Sequence, residues 1–264
     1  MDEVTQQNFM HLPYAVTASD QRAQQMGLVT LETDLTIEDE LRFFFTGAAP
    51  HSLSLLHSRI GCDDQVTADN LTAMEGRFAG SLALFPPELH FDVIGYGCTS
   101  ASLLIGEARV ADLITAHVDV DHVTTPITAA KRALTALGAK KIGYLAPYIS
   151  EISHKMCAQF TADGFPVTRA ATFAEGRDSI VGNITPQAIL EGLHSLAETE
   201  TNGGQPDFDA IFVSCTSLKC ASIIESAEQQ LGVPVISSNS ALAWDMARLA
   251  GVPVGPMGKG RLFA

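Results

Sequence analysis

Short apolar runs alternate with helix-period segments from one end of this 264-residue chain to the other. That alternation restricts the fold more than any other feature of the sequence. Residues 27–31, 52–60, 91–95, 141–146, 166–173, 210–214 and 233–237 read as strands. Between and after them, residues 36–45, 68–84, 99–110, 125–138, 150–163, 186–197, 217–231 and 240–250 carry helical spacing, with Thr125-Pro126 as N-cap and first turn of one helix. Parallel neighbours in a sheet need a crossover, usually a helix, so this order predicts an α/β fold with mostly parallel sheets flanked by helices.

The alternation also repeats on a larger scale. Gly27 opens a strand, and a Cys-Thr-Ser element begins 71 residues later at Cys98. Gly143 opens a similar strand, and a second Cys-Thr-Ser begins 72 residues later at Cys215. Two pseudo-twofold-related lobes follow, each a mostly parallel sheet, with the carboxyl ends of their strands lining a cleft between them. Residues 25–123 with about 238–264 are assigned to the first lobe and 124–237 to the second. Residues 1–24 form an N-terminal extension, available to cover the cleft or to serve a dimer contact.

Composition sets the outer limits. Hydrophobic residues make up 46 % of the chain, ample for a core. The net charge of −14 repels phosphate backbones and anionic membrane surfaces, so neither nucleic acid nor membrane is an expected partner. No basic start, apolar leader segment or run of about 18 apolar residues is visible. The five cysteines are scattered and odd in number, unlike a secreted disulfide framework, and point to a cytoplasmic protein with reduced thiols.

Both Cys-Thr-Ser elements sit where an apolar strand ends and a helix is expected to begin. Unpaired amides and the positive end of a helix dipole would lower a thiol pKa and hold a carboxylate without arginine. Gly95 and Gly97 would let the backbone turn and approach a ligand. The plain alternative is that these cysteines are small buried hydrophobes, and a Cys98–Cys215 disulfide is a further one. Cys62, Cys157 and Cys220 lack the context and read as bystanders.

These elements resemble the aspartate/glutamate racemase superfamily, and within it the maleate isomerase and arylmalonate decarboxylase branch. The resemblance spans about residues 25–250. It rests on Gly27-Leu28-Val29 with Asp34-x-Thr36-x-Glu38, Gly97-Cys98-Thr99-Ser100, Pro147-Tyr148, Gly182-x-Ile184-x-Pro186 and Ser214-Cys215-Thr216-Ser217. It implies two catalytic cysteines, Cys98 and Cys215, one from each lobe. Tyr148 would touch a substrate carboxylate, and Thr99, Ser100, Thr216 and Ser217 would supply donors beside the cysteines. No cofactor and no metal are implied, the substrate is a small carboxylate, and a homodimer or higher homo-oligomer is expected.

Two positions depart from the pattern. Maleate isomerases carry Asn near the positions of Asp34 and Asp178. A carboxylate repels a dicarboxylate but suits a substrate ammonium. Asp34 otherwise reads as a cap of the following helix, and Asp178 as a solvated loop acid. The run Asp34–Glu40 is also similar to a racemase-like subgroup linked with ectoine utilisation, whose substrate would be a diaminobutyrate or its N-acetyl form. The leading expectation is therefore two-cysteine racemisation of an amino acid or diaminobutyrate derivative. Maleate cis–trans isomerisation with Cys98 as nucleophile is the alternative, and a non-catalytic binding protein a third.

Other groups are weaker signals. His117, Asp119 and Asp121 would share one face of an extended segment, in the manner of metal ligands, but polar crossover residues explain them more simply. His51, His57 and His90 have no partner at ligand spacing. Residues 255–260 lack the pattern of a phosphate loop and read as a tail.

Overall fold

The strands and helices assemble as the alternation requires. The computed structural model describes residues 10–16, 23–48, 53–198, 207–255 and 258–264. Among them are strands β1 (Gln24–Leu31), β2 (Leu53–Ile60), β3 (Phe91–Gly97), β4 (Val120–Thr124), β5 (Ile142–Ala146), β6 (Val167–Thr172), β7 (Ala210–Val213) and β8 (Val235–Ser237). The helices are α1 (Ile37–Phe44), α2 (Ala68–Ala73), α3 (Phe78–Leu82), α4 (Thr99–Ile105), α5 (Glu107–Thr115), α6 (Pro126–Ala136), α7 (Ser150–Ala162), α8 (Asp178–Val181), α9 (Pro186–Ala197), α10 (Ile224–Leu231) and α11 (Ser238–Leu249).

Two four-stranded sheets form, ordered β2-β1-β3-β4 and β6-β5-β7-β8, and every pairing within them is parallel. The second order repeats the first. The repeat extends to register: Gly27 pairs with Ile94 and Gly143 with Ile211, each partner four residues before its cysteine. The two lobes thus deliver Cys98 and Cys215 from equivalent points of equivalent strands. β3 and β7 are interior strands, and β7 is buried at every position. Such strands read as continuous apolar runs because both faces are covered by helices.

Several expected elements differ in detail. The helix expected over 68–84 is broken into α2, a 3₁₀ turn (Met74–Arg77) and α3. That over 99–110 is interrupted at Gly106, whose φ of 93° no helix accommodates. β4 went unread because its sequence, Val-Asp-His-Val-Thr, is polar; as an edge strand it leaves Asp121 and His122 exposed. Asp119 and Asp121 flank His90 instead of forming a face with His117: His90 Nδ1 lies 3.0 Å from Asp119 and Nε2 3.1 Å from Asp121. His117 turns back to the Leu113 carbonyl (2.9 Å). His90 therefore does have partners.

Gly95 and Gly97 serve packing within β3 rather than a turn. A Cβ on Gly95 would lie 2.7 Å from Met246 Sδ of α11, and one on Gly97 would lie 2.6 Å from Ile37 Cδ1 of α1. Their absence lets α11 and α1 close on the strand that ends at Cys98. α11 is fastened further by Asp245, fully buried, which accepts from Thr124 Oγ1 (2.7 Å) and pairs with Arg132 (2.7 Å) and Arg248 (2.8 Å). The expected tail also folds inward. Lys259 is buried with its ammonium on the Thr46 carbonyl, and Phe263 stacks on Phe44 with centroids 5.4 Å apart. Within the expected N-terminal extension only 10–16 and 23–24 are described; Met10, Leu12, Tyr14 and Val16 are exposed.

Candidate active site

Cys98 ends β3 in an extended conformation and is the N-cap of α4. Its Sγ accepts from the Ala101 amide at 3.4 Å and lies 3.7 Å from Ser100 Oγ. The sulfur occupies the place an N-cap oxygen usually fills, where the first turn has unpaired amides.

Cys215 has a different backbone. It follows β7 with φ +130°, a region L residues rarely adopt. The helix expected from residue 217 begins only at Ile224, so Cys215 has no helix N-terminus beside it, and Cys220 lies in the turns before that helix. Contacts from elsewhere hold the loop. The Cys215 amide donates to Ser238 Oγ (3.0 Å), which also accepts from Thr99 Oγ1 (2.8 Å). Thr216 Oγ1 donates to the Gly97 carbonyl (3.3 Å), and Thr36 Oγ1 to the Ser217 carbonyl (3.0 Å). One serine hydroxyl thus joins the two Cys-Thr-Ser elements side by side.

Eight of the nine residues singled out from sequence line one pocket: Cys98, Thr99, Ser100, Tyr148, Asp178, Cys215, Thr216 and Ser217. Its free interior is about 20 Å³, room for about one water. Cys62, expected to be a bystander, is part of that wall, 3.2 Å from Thr33 Oγ1. Cys157 lies within α7 and does not reach the cavity.

The ninth residue, Asp34, is fully buried but not in the lining. Its Oδ1 accepts from the amides of Thr36 (2.8 Å), which is itself the N-cap of α1, and of Ile37 (3.0 Å); Oδ2 has no hydrogen-bond partner among the described residues. Asp178 is not a solvated loop acid. It begins α8, is buried, and accepts from Thr33 Oγ1 (2.5 Å) and Ser217 Oγ (3.3 Å).

The electrostatics reverse one expectation. Burial pushes the Cys98 thiol up to about 12, outweighing the Ala101 amide and the Ser100 hydroxyl. Cys215 is pushed up as well, by burial and then by the nearby Asp178 carboxylate. Helix-end amides do not overcome desolvation where the thiol is buried and, among the described residues, no lysine or arginine lines the pocket. Both thiols are therefore protonated at rest. Burial also raises Asp34 and Asp178, opposed in Asp34 chiefly by the Ile37 and Thr36 amides and in Asp178 by the Thr33 and Ser217 hydroxyls. Tyr148 is raised well above the ordinary phenol range and stays neutral.

Sequence reading missed Thr33, Glu40, Ser238 and Asn239, which touch the site only through tertiary contacts. The polar run Ser237–Ser240 at a strand end was the available signal, because four such residues there form a helix cap; Ser237 and Ser240 make the capping box.

A family model described as arylmalonate decarboxylase matches residues 91–263, which include both cysteines and Tyr148. The chain belongs to the arylmalonate decarboxylase family. It is 30 % identical over 169 residues to the arylmalonate decarboxylase of Bordetella bronchiseptica, covering 62 % of this chain and 68 % of that one. It is 26 % identical over 251 residues to the maleate isomerase of Nocardia farcinica (strain IFM 10152), covering 91 % and 95 %. The structure of the maleate isomerase Iso from Pseudomonas putida S16 superimposes with a TM-score of 0.80 at 22 % identity, over 92 % of this chain and 98 % of that one. These relatives place the arylmalonate decarboxylase-family chain in the aspartate/glutamate racemase superfamily, as its motifs imply, and make it an enzyme of the isomerase and racemase class. They lend no support to an ectoine-utilisation subgroup. No helix among the described residues is long and apolar enough to cross a membrane.

Proposed function

We propose that this enzyme is a cofactor-independent cis–trans isomerase of a small unsaturated dicarboxylate such as maleate. Cys98 is the nucleophile and Cys215 the proton donor and acceptor. The observation that carries the reading is that both thiols line one pocket together with the hydroxyl-bearing residues Thr99, Ser100, Tyr148, Thr216 and Ser217. Full-length relatedness to a maleate isomerase supports it over racemisation.

The reactive form, scarce near neutral pH, has lost the Cys98 proton to solvent and keeps Cys215 as thiol. The Cys98 sulfur forms a bond to one carbon of the double bond, and the π electrons move to its neighbour, which takes the Cys215 proton. The former double bond, now single, rotates. Cys215 then removes that proton, the double bond re-forms, and the carbon–sulfur bond breaks to release the trans product and the Cys98 thiolate. Thr99, Ser100, Thr216, Ser217 and the neutral Tyr148 hydroxyl hold the substrate carboxylates and the enolate-like charge. Loss of maleate absorbance with fumarate formed, and less than 1 % of that rate in Cys98→Ser, is the expected result. Absence of turnover at millimolar maleate would set the reading aside.

One observation favours a second reading. Asp63 and Asp178 line the cavity with no lysine or arginine among the described residues, which suits a substrate ammonium and the two-base racemisation of an amino acid such as a diaminobutyrate derivative. Solvent deuterium entering at Cα, with loss of exchange in either cysteine variant, would decide for it. In both readings the lobes divide as 25–123 with about 238–264, and 124–237.

A further inference from the structure

We infer that Glu40 is a positioning residue for Cys215, holding from the first lobe the loop that the second lobe leaves without a helix. The inference rests on the reading of Cys215 as proton donor and acceptor, and extends it to how that thiol is placed.

Residues 216–223 form turns, so their amides lack the helical partners that the corresponding segment after Cys98 has in α4. Buried amides need acceptors from somewhere. Glu40, on the buried face of α1, provides them: its Oε1 accepts from the amides of Cys220 (2.6 Å) and Ala221 (2.7 Å). Its Oε2 accepts from Asn239 Nδ2 (2.9 Å), and the same Nδ2 donates to the Thr216 carbonyl (2.8 Å). One carboxylate thus secures the loop directly at its far end and, through Asn239, at the residue adjoining Cys215. The fully buried Asn239 keeps its Oδ1 without a partner, so its orientation is set by Glu40 and Thr216 alone.

Such a placement is costly. Glu40 is only 7 % exposed, its partners are N–H groups rather than a cation, and burial pushes its carboxyl up to about 7 against the pull of Ala221, Asn239 and Cys220, with Asp34 adding to the rise. A leucine would remove the buried charge but leave the Cys220 and Ala221 amides without an acceptor. The carboxylate makes sense as the acceptor that gives the Cys215 loop one shape, including the strained φ of +130°.

The test is alkylation of the full-length protein by iodoacetamide, with the extents at Cys215 and Cys98 read from their separate peptides. Cys98 serves as internal control, and no turnover is needed, so a failure of the isomerase reading leaves this test standing. Glu40→Ala should label at Cys215 at least threefold faster than wild type with Cys98 unchanged, while Glu40→Gln, which keeps an acceptor for Cys220 and Ala221, should show less than half that acceleration. Where the wild type turns over substrate, Glu40→Ala should lower kcat at least tenfold and change KM less than threefold. If Glu40→Ala does not fold, Asn239→Ala, which cuts only the link to Thr216, should accelerate Cys215 alone. An unchanged Cys215-to-Cys98 ratio in a folded Glu40→Ala protein, or in Asn239→Ala when Glu40→Ala does not fold, would overturn the inference; so would Gln and Ala variants of Glu40 that behave alike.

Discussion

Cys98 and Cys215 share a tripeptide and a register but not a backbone. Cys98 caps a helix, whereas Cys215 sits at positive φ in a loop held by side chains from α1 and α11. The repeated tripeptide was enough to find both thiols, since a strand end followed by Cys-Thr-Ser is visible in one dimension. Their protonation was not legible, because desolvation depends on how completely the rest of the chain closes over them. With Cys98 pushed up to about 12, its thiolate is scarce near neutrality and grows tenfold per pH unit. The kcat/KM for maleate is expected to rise with a slope of about 1 between pH 7 and 9; a flat or falling profile would place the nucleophile elsewhere. Asp178 separates the two readings of substrate. Removing its charge in Asp178→Asn should lower KM for a dicarboxylate at least tenfold, since like charges about 4 Å apart repel by about 4 kcal/mol at an effective dielectric near 20. For an amino-acid substrate the same variant should raise KM, so steady-state kinetics on both substrates decide the sign.

Among the elements, those with strong local signals were legible within a few residues: β5, α6 with its Thr125-Pro126 start, α7 and α9. The misreadings have tertiary causes. Residues 217–223 have helical composition, yet Glu40 and Thr36 bind their backbone, and Asn239 that of Thr216 just before them, in place of a helix. β4 was missed because an edge strand can be polar. The two β3 glycines were correctly noticed and wrongly explained, since clearance for packing leaves no trace in sequence that differs from clearance for a ligand. Gly97→Ala would drive a Cβ into Ile37 at 2.6 Å and push α1 away from β3. It should destabilise the protein by about 1–3 kcal/mol. Thermal unfolding should register this as a Tm lowered by several degrees.

At the scale of the whole molecule, the repeat in sequence proved to be a repeat in topology and register, and it explains why a cleft between two sheets carries a matched pair of thiols. The fastenings across the repeat were not legible. Ser238 reaches Thr99 to join the two Cys-Thr-Ser elements, and Asp245 ties α11 to α6 through Arg132 and to β4 through Thr124; each of these contacts spans more than 100 positions. Asp245→Ala removes a fully buried acceptor from Thr124, Arg132 and Arg248 and should cost about 2–4 kcal/mol, measured by denaturant midpoint. The net charge of −14 extends into the cleft as Asp63 and Asp178, and no lysine or arginine lines it among the described residues. The claim on which the rest depends is covalent addition by Cys98. Cys215→Ser incubated with maleate and examined by peptide mass spectrometry should gain the mass of one substrate molecule on the peptide containing Cys98. Wild-type isomerisation with an adduct only on Cys215 would contradict the account.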